Sequence, residues 1–177
     1  MAALRLDSDD FSLFGLPPQF ELDRHALDVQ WRRLQAEVHP DRFASEGASS
    51  QRVAMQWALR VNEAYQRLKD PLRRAAYLCE LRGTPIEAER NTAMPAAFLM
   101  QQLAWREALD EATGLPEVER LEVEVVGSQR EMLLQTGRLL DVENQPAAAA
   151  AQVRALMFVA RFRQDLERRL DVLDGSR

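Results

Sequence analysis

Apolar residues recur along most of this chain at the three-and-four spacing of an α-helix, not at the alternation of a strand. The first clear stripe is Leu27, Trp31, Leu34 and Val38, with Arg32 and Arg33 on the other side. It starts near Asp23 and must end near Val38. Pro40 disfavours helical backbone at His39 and has no N–H with which to continue the ladder. Ahead of this stripe, Phe11, Leu13, Phe14 and Leu16 form a short cluster stopped by Pro17-Pro18, enough for one helical turn. Residues 39–50, with Ser45, Gly47, Ser49 and Ser50, read as a loop. A second stripe then carries Ala54, Trp57, Ala58, Val61, Ala64, Tyr65 and Leu68. The two stripes predict an antiparallel helical hairpin in which Trp31 and Trp57 bury large surfaces. Asp70-Pro71 opens a further helix, through Tyr77 and Leu81, that stops at Gly83.

Residues 84–95 read as a connector with one short helical turn. Beyond it, three helical segments are expected over roughly 95–112, 116–142 and 146–173, separated by Gly114-Leu115-Pro116 and Asn144-Gln145-Pro146. Short links between them predict an antiparallel three-helix bundle. The middle segment carries Val118, Leu121, Val125, Met132 and Leu139 on one stripe, with Gly127 and Gly137 inside it at some cost. The first bundle helix has two faces. Phe98, Trp105, Leu109 and Ala112 cluster on one, while Leu99, Met100 and Leu103 point away with Glu107 and Glu111. If the first face is core, the second exposes large apolar side chains beside acids, the pattern of a protein-docking surface. Phe158, off the core stripe of its own helix, extends that patch. The expected fold is all-α, with a hairpin domain over 1–84, a linker over 85–94 and a three-helix bundle over 95–177.

Charge sharpens this division. The net charge is −5, yet residues 1–84 carry twelve basic and twelve acidic side chains, so the whole excess lies in 85–177. A uniformly basic nucleic-acid binder is excluded by that balance. The single cysteine, Cys79, sits between Leu78 and Leu81 as a small buried hydrophobe, so no disulfide and no cysteine-based metal site is expected. Neither a leader sequence nor a membrane span is legible, and the cytoplasm is the default expectation.

The tripeptide His39-Pro40-Asp41 stands where the first long helix ends, followed by Arg42-Phe43 and preceded by Arg32 and Arg33. Pro40 sends the chain sharply off the helix, so His39 and Asp41 sit on a rigid corner ringed by arginine, suited to an acidic partner surface. With Val61-Asn62-Glu63-Ala64-Tyr65, Leu68 and Asp70-Pro71, this arrangement resembles the J domain over about residues 8–83. The resemblance implies that His39, Pro40, Asp41, Arg32, Arg33 and Arg42 bind a chaperone ATPase of the HscA or DnaK kind and stimulate its hydrolysis. A bare helix cap is the alternative. A hydrolase using His39 lacks a nucleophile motif and any metal-ligand cluster, and His25 reads as an exposed helix residue.

The opening Asp10-Phe11-Ser12-Leu13-Phe14-Gly15-Leu16-Pro17, the Phe43-Ala44 after the tripeptide, the segment from Ala97 to Glu111 and the segment 153–170 together resemble the HscB family of co-chaperones. That resemblance implies an L-shaped molecule with no enzymatic activity of its own and no cofactor or metal. It also implies that Leu99, Met100, Leu103, Glu107, Glu111 and Phe158 contact an IscU-type iron–sulfur scaffold protein. Ala104 departs from the family, whose members often carry an acid there. A general J-protein presenting unfolded clients, or a plain helical adaptor, remain the other readings.

Overall fold

The structure is a computed structural model that describes residues 5–43, 45–87, 94 and 96–175. Among these residues there are seven α-helices and no strand: α1 (Asp10–Phe14), α2 (Arg24–Glu37), α3 (Ala48–Lys69), α4 (Pro71–Leu81), α5 (Ala96–Glu111), α6 (Leu115–Asp141) and α7 (Pro146–Asp174). A 3-10 turn, Pro40–Phe43, lies between α2 and α3. The all-α expectation therefore holds. Most of the connector with its expected helical turn lies outside the described residues. No helix among them is long and apolar enough to cross a membrane.

Contacts divide the chain into two units, Met1–Tyr77 and Leu78–Arg177, and the change of partners falls within α4. In the first unit, α1 is one capped turn. Asp9 accepts the Ser12 N–H, and Gly15 ends the helix in the left-handed region, at a φ of 65°. Phe11, Leu13 and Phe14 are buried, as is Asp10, whose carboxylate meets Arg60 and Arg67 of α3 at 2.8 and 3.0 Å. The backbone N–H of Asp10 donates to the Tyr77 hydroxyl at 3.0 Å, tying α1 to α4.

Helices α2 and α3 form the expected hairpin. Asp23 caps α2 by accepting the Ala26 N–H. Trp31 Nε1 donates to Asn62 Oδ1 at 3.1 Å, and the Tyr65 hydroxyl donates to Asp28 Oδ1 at 3.0 Å. Lower numbers on one helix thus meet higher numbers on the other, so the pair is antiparallel. Leu27, Leu34, Val61, Ala64 and Leu68 are sealed between them. Two details differ from expectation. Helix α3 starts at Ala48, not after Ser50, because Gly47 turns the chain at a φ of 93° and the first turn of a helix leaves N–H groups free for small polar residues. Trp57 and Trp31, both expected to bury large surfaces in the hairpin core, are only half-buried.

The second unit is built on α5, α6 and α7. Its core unites Trp105, Val118, Leu121, Val125, Val159, Phe162 and Leu166. Trp105 stacks on Phe162 with centroids 6.0 Å apart and meets Phe98 edge-on at 6.5 Å. Helix α6 runs unbroken through Gly127 and Gly137, since burial of its apolar stripe against α7 outweighs the low helix propensity of two glycines. Gly114 offers α6 no side-chain cap, and Glu117 reaches back instead to accept the Thr113 N–H at 2.6 Å. That hydrogen bond holds the Glu117 carboxyl below the usual carboxylate range. Cys79 and Arg82 belong to this unit by their contacts: the thiol faces the Pro146 carbonyl, and the guanidinium donates to that of Leu140.

Candidate protein-docking sites

The first site is the corner where α2 ends. Val38 N–H still bonds to the Leu34 carbonyl, but Pro40 has no N–H to offer, and the chain drops into the 3-10 turn. Two bonds then fix the corner. Arg42 N–H donates to the His39 carbonyl at 3.0 Å, and Arg42 Nη1 reaches back to the Ala36 carbonyl at 3.0 Å. The second bond satisfies one of the last carbonyls of α2, so Arg42 is partly a helix cap and not solely a free surface cation.

His39 and Asp41 are held out on this corner. Their side chains are 56% and 90% exposed, and their polar atoms lie 3.6 Å apart. Asp41 N–H donates to His39 Nδ1 at 3.3 Å, which assigns the ring proton of the neutral imidazole to Nε2, a donor left for a partner. On α2, Arg32 and Arg33 are both exposed. Arg33 forms an ion pair with Glu37 at 3.0 Å, while Arg32 stands one turn after Asp28. Arg24 in turn holds the Asp28 carboxyl below its ordinary range. Of the six residues expected at this site, His39, Asp41, Arg32, Arg33 and Arg42 are exposed and Pro40 is half-buried at the bend. His39, Pro40, Asp41 and Arg42 sit together on the corner, with Arg32 and Arg33 further back along α2.

Periodicity did not signal one feature here. Leu34, Val38, Phe43, Val53, Ala54 and Trp57 line an open groove of about 490 Å³ beneath the corner. Trp57 reads as core in the sequence because it lies on the buried side of α3. Phe43 of the 3-10 turn lines this groove with Trp57 and leaves it half-exposed.

The second site lies on α5. With Trp105 in the core, the opposite side of the helix is solvated: Leu99, Met100 and Leu103 are 47%, 69% and 52% exposed. Glu107 and Glu111 continue this side and are exposed too. Helix α7 flanks it. Trp105 stacks on Phe162, and Arg169 donates to the Ala112 carbonyl at 3.3 Å, the same sequence offset in both cases, so α5 and α7 run parallel. Phe158, one turn before Phe162, is then level with Gln101 and Gln102. Leu109 and Asp110 border a small cleft with Asp165, Arg168 and Arg169 of α7. One, two and three turns earlier, that edge of α5 presents Arg106, Leu103 and Leu99. Phe158 is half-buried beside them, with the Arg161 guanidinium 5.8 Å over its ring. Leu99, Met100, Leu103 and Phe158 thus make an apolar face, with Glu107 and Glu111 at one end.

The histidine and carboxylate of the corner are solvated, and no group of three or more His, Cys, Asp or Glu side chains that could hold a metal occurs among the described residues.

Comparison with known proteins bears on both units. The family described as the HSCB C-terminal oligomerisation domain matches residues 94–167, from just before α5 into α7. A co-chaperone protein HscB homolog of Cupriavidus taiwanensis is 49% identical over 173 residues, covering 96% of this chain and 98% of the relative. One from Bordetella petrii is 50% identical, covering 89% and 94%. Among solved structures, the chaperone HscB from Vibrio cholerae superposes with a TM-score of 0.86 at 41% identity, covering 93% of this chain and 99% of the other. The human co-chaperone protein HscB reaches 0.88 at 24% identity, covering 94% and 84%, and shares the fold.

Proposed function

The chain belongs to the HscB co-chaperone family, and on that premise we propose that it stimulates the ATPase of an HscA- or DnaK-type chaperone and delivers to it an IscU-type iron–sulfur scaffold protein. In this reading residues 1–84 act as the J domain, 85–94 as a link and 95–177 as the client-binding bundle. The observation that carries it is the uncovered apolar face of α5, where three large side chains stay in solvent although the core beside them is complete. Leaving such side chains wet is unfavourable, and docking a folded partner removes them from water.

The two sites have complementary work. The corner presents the Nε2 donor of His39, the carboxylate of Asp41 and the cations Arg32 and Arg33, which suit an acidic chaperone surface. The bundle holds the client, so chaperone and client meet at an effective concentration set by one molecule, not by bulk diffusion. The chain supplies contact and placement, and the bond-breaking step belongs to the chaperone.

The test is steady-state ATP hydrolysis by the purified chaperone with this chain, with and without scaffold. His39→Gln is expected to abolish stimulation while retaining scaffold binding. The Leu99→Ala/Leu103→Ala/Phe158→Ala variant is expected to do the reverse. Stimulation that survives His39→Gln, or scaffold captured equally by the triple variant, would overturn the proposal. Equal competition by a denatured polypeptide would favour a general J-protein instead.

A further inference from the structure

Glu124 of α6 is an exposed carboxylate whose orientation is fixed. Its Oε1 accepts from Trp105 Nε1 at 2.8 Å and from Gln101 Nε2 at 3.1 Å, both on α5. Both of these bonds fall on the same oxygen, which leaves Oε2 for another donor. Gln101 and Trp105 form the edge of α5 that borders α6. Between that edge and the ridge of Met100 and Glu107 lies Ala104, exposed and with only a methyl group to offer. Nothing on α5 therefore stands between the Glu124 carboxylate and a molecule seated on Met100 and Leu103.

We propose that Glu124 is part of the client-docking face, a positioned carboxylate that reads a lysine or arginine on the folded scaffold. The inference rests on the reading of α5 as the scaffold site and names the chemistry of one further contact there. Three features favour a client-reading role over one confined to satisfying the indole. Trp105 needs one acceptor oxygen, and a neutral amide would serve it equally well. Two hydrogen bonds already direct the side chain in the free protein, so docking has less of it to order. Apolar neighbours exclude water once a partner is seated, which strengthens a charge-assisted hydrogen bond at this edge. With Glu107 and Glu111, the site then carries carboxylates at two edges of the apolar face, one on α6 and two on α5.

The experiment measures scaffold binding by the full chain at low and high salt. Glu124→Gln keeps an amide oxygen for Trp105 and Gln101 and removes only the charge, so tryptophan fluorescence and melting temperature stay as in the wild type. Affinity at low salt is expected to fall roughly 10- to 100-fold, the range of one charge-assisted hydrogen bond, and the gap to close as salt rises. Adding Ala104→Glu to that variant is expected to restore affinity, because it returns a carboxylate to the same edge. If Glu124→Gln binds like wild type while Leu103→Ala binds weakly, this inference is overturned and the docking reading stands. If neither change matters, the docking reading fails and takes the inference with it.

Discussion

Arg42 Nη1 donates to the Ala36 carbonyl at 3.0 Å, closing the end of α2 across the corner that carries His39 and Asp41. An arginine that reads in sequence as a surface cation is thus also a brace. Its removal frees a terminal carbonyl and loosens the only side-chain link from the turn back to the helix among the described residues.

Arg42→Ala is therefore expected to act in two ways at once. Stability falls by about 1 kcal/mol or less, the worth of an exposed hydrogen bond, and chaperone stimulation falls with it. His39→Gln, by contrast, is expected to leave the melting temperature unchanged while abolishing stimulation. Thermal unfolding and ATP hydrolysis measured on both variants separate brace from contact. An Arg42→Ala protein with intact stimulation would show that the corner holds its shape unaided.

Asp10 is fully buried against Arg60 and Arg67, which are 20% and 40% exposed. Asp10→Asn is expected to destabilise the chain by roughly 2–3 kcal/mol. That lies below the cost of breaking a wholly buried pair, because both arginines keep access to water. Arg60 also donates to the Leu6 and Ser8 carbonyls, so it stays anchored when the carboxylate is neutralised. Urea denaturation measures the loss, and a change under 0.5 kcal/mol would mean that the segment before α1 holds without the ion pair.

Trp105 is 2% exposed and joins Phe98 to Phe162. Trp105→Ala is expected to cost about 3–5 kcal/mol through lost burial and the cavity left behind. It also deprives Glu124 of its stronger donor. Trp105→Phe keeps most of the volume and is expected to cost far less, so the two variants compared by denaturation divide packing from the hydrogen bond.

Burial pushes the Cys79 thiol up to about 11, and the residue has no exposed surface. At pH 8 the native chain is expected to resist a thiol-reactive dye, with full labelling only in denaturant, since the thiolate is the reacting species. Rapid labelling of the folded protein would show that the end of α4 opens readily.

Much of this molecule follows from residue order alone. Stripes at 27–38, 54–68 and 118–139 determine their helices, because a 3.6-residue repeat can bury its apolar side in only one way. Pro40 determines that α2 stops, and Gly83 that α4 does. The two faces of α5 are likewise legible, since Phe98 and Trp105 cannot share a side with Leu99 and Leu103. Only the tertiary structure decided the rest. That Trp57 lines an open groove with Phe43 instead of filling the core is not encoded in any periodicity. That Arg42 turns back to the Ala36 carbonyl, and that Glu124 accepts from Gln101 and Trp105, depend on how neighbouring elements meet in space. Helical periodicity reports which side of a helix is apolar; which neighbour covers it, and which edge stays open to a partner, is settled only when the helices pack.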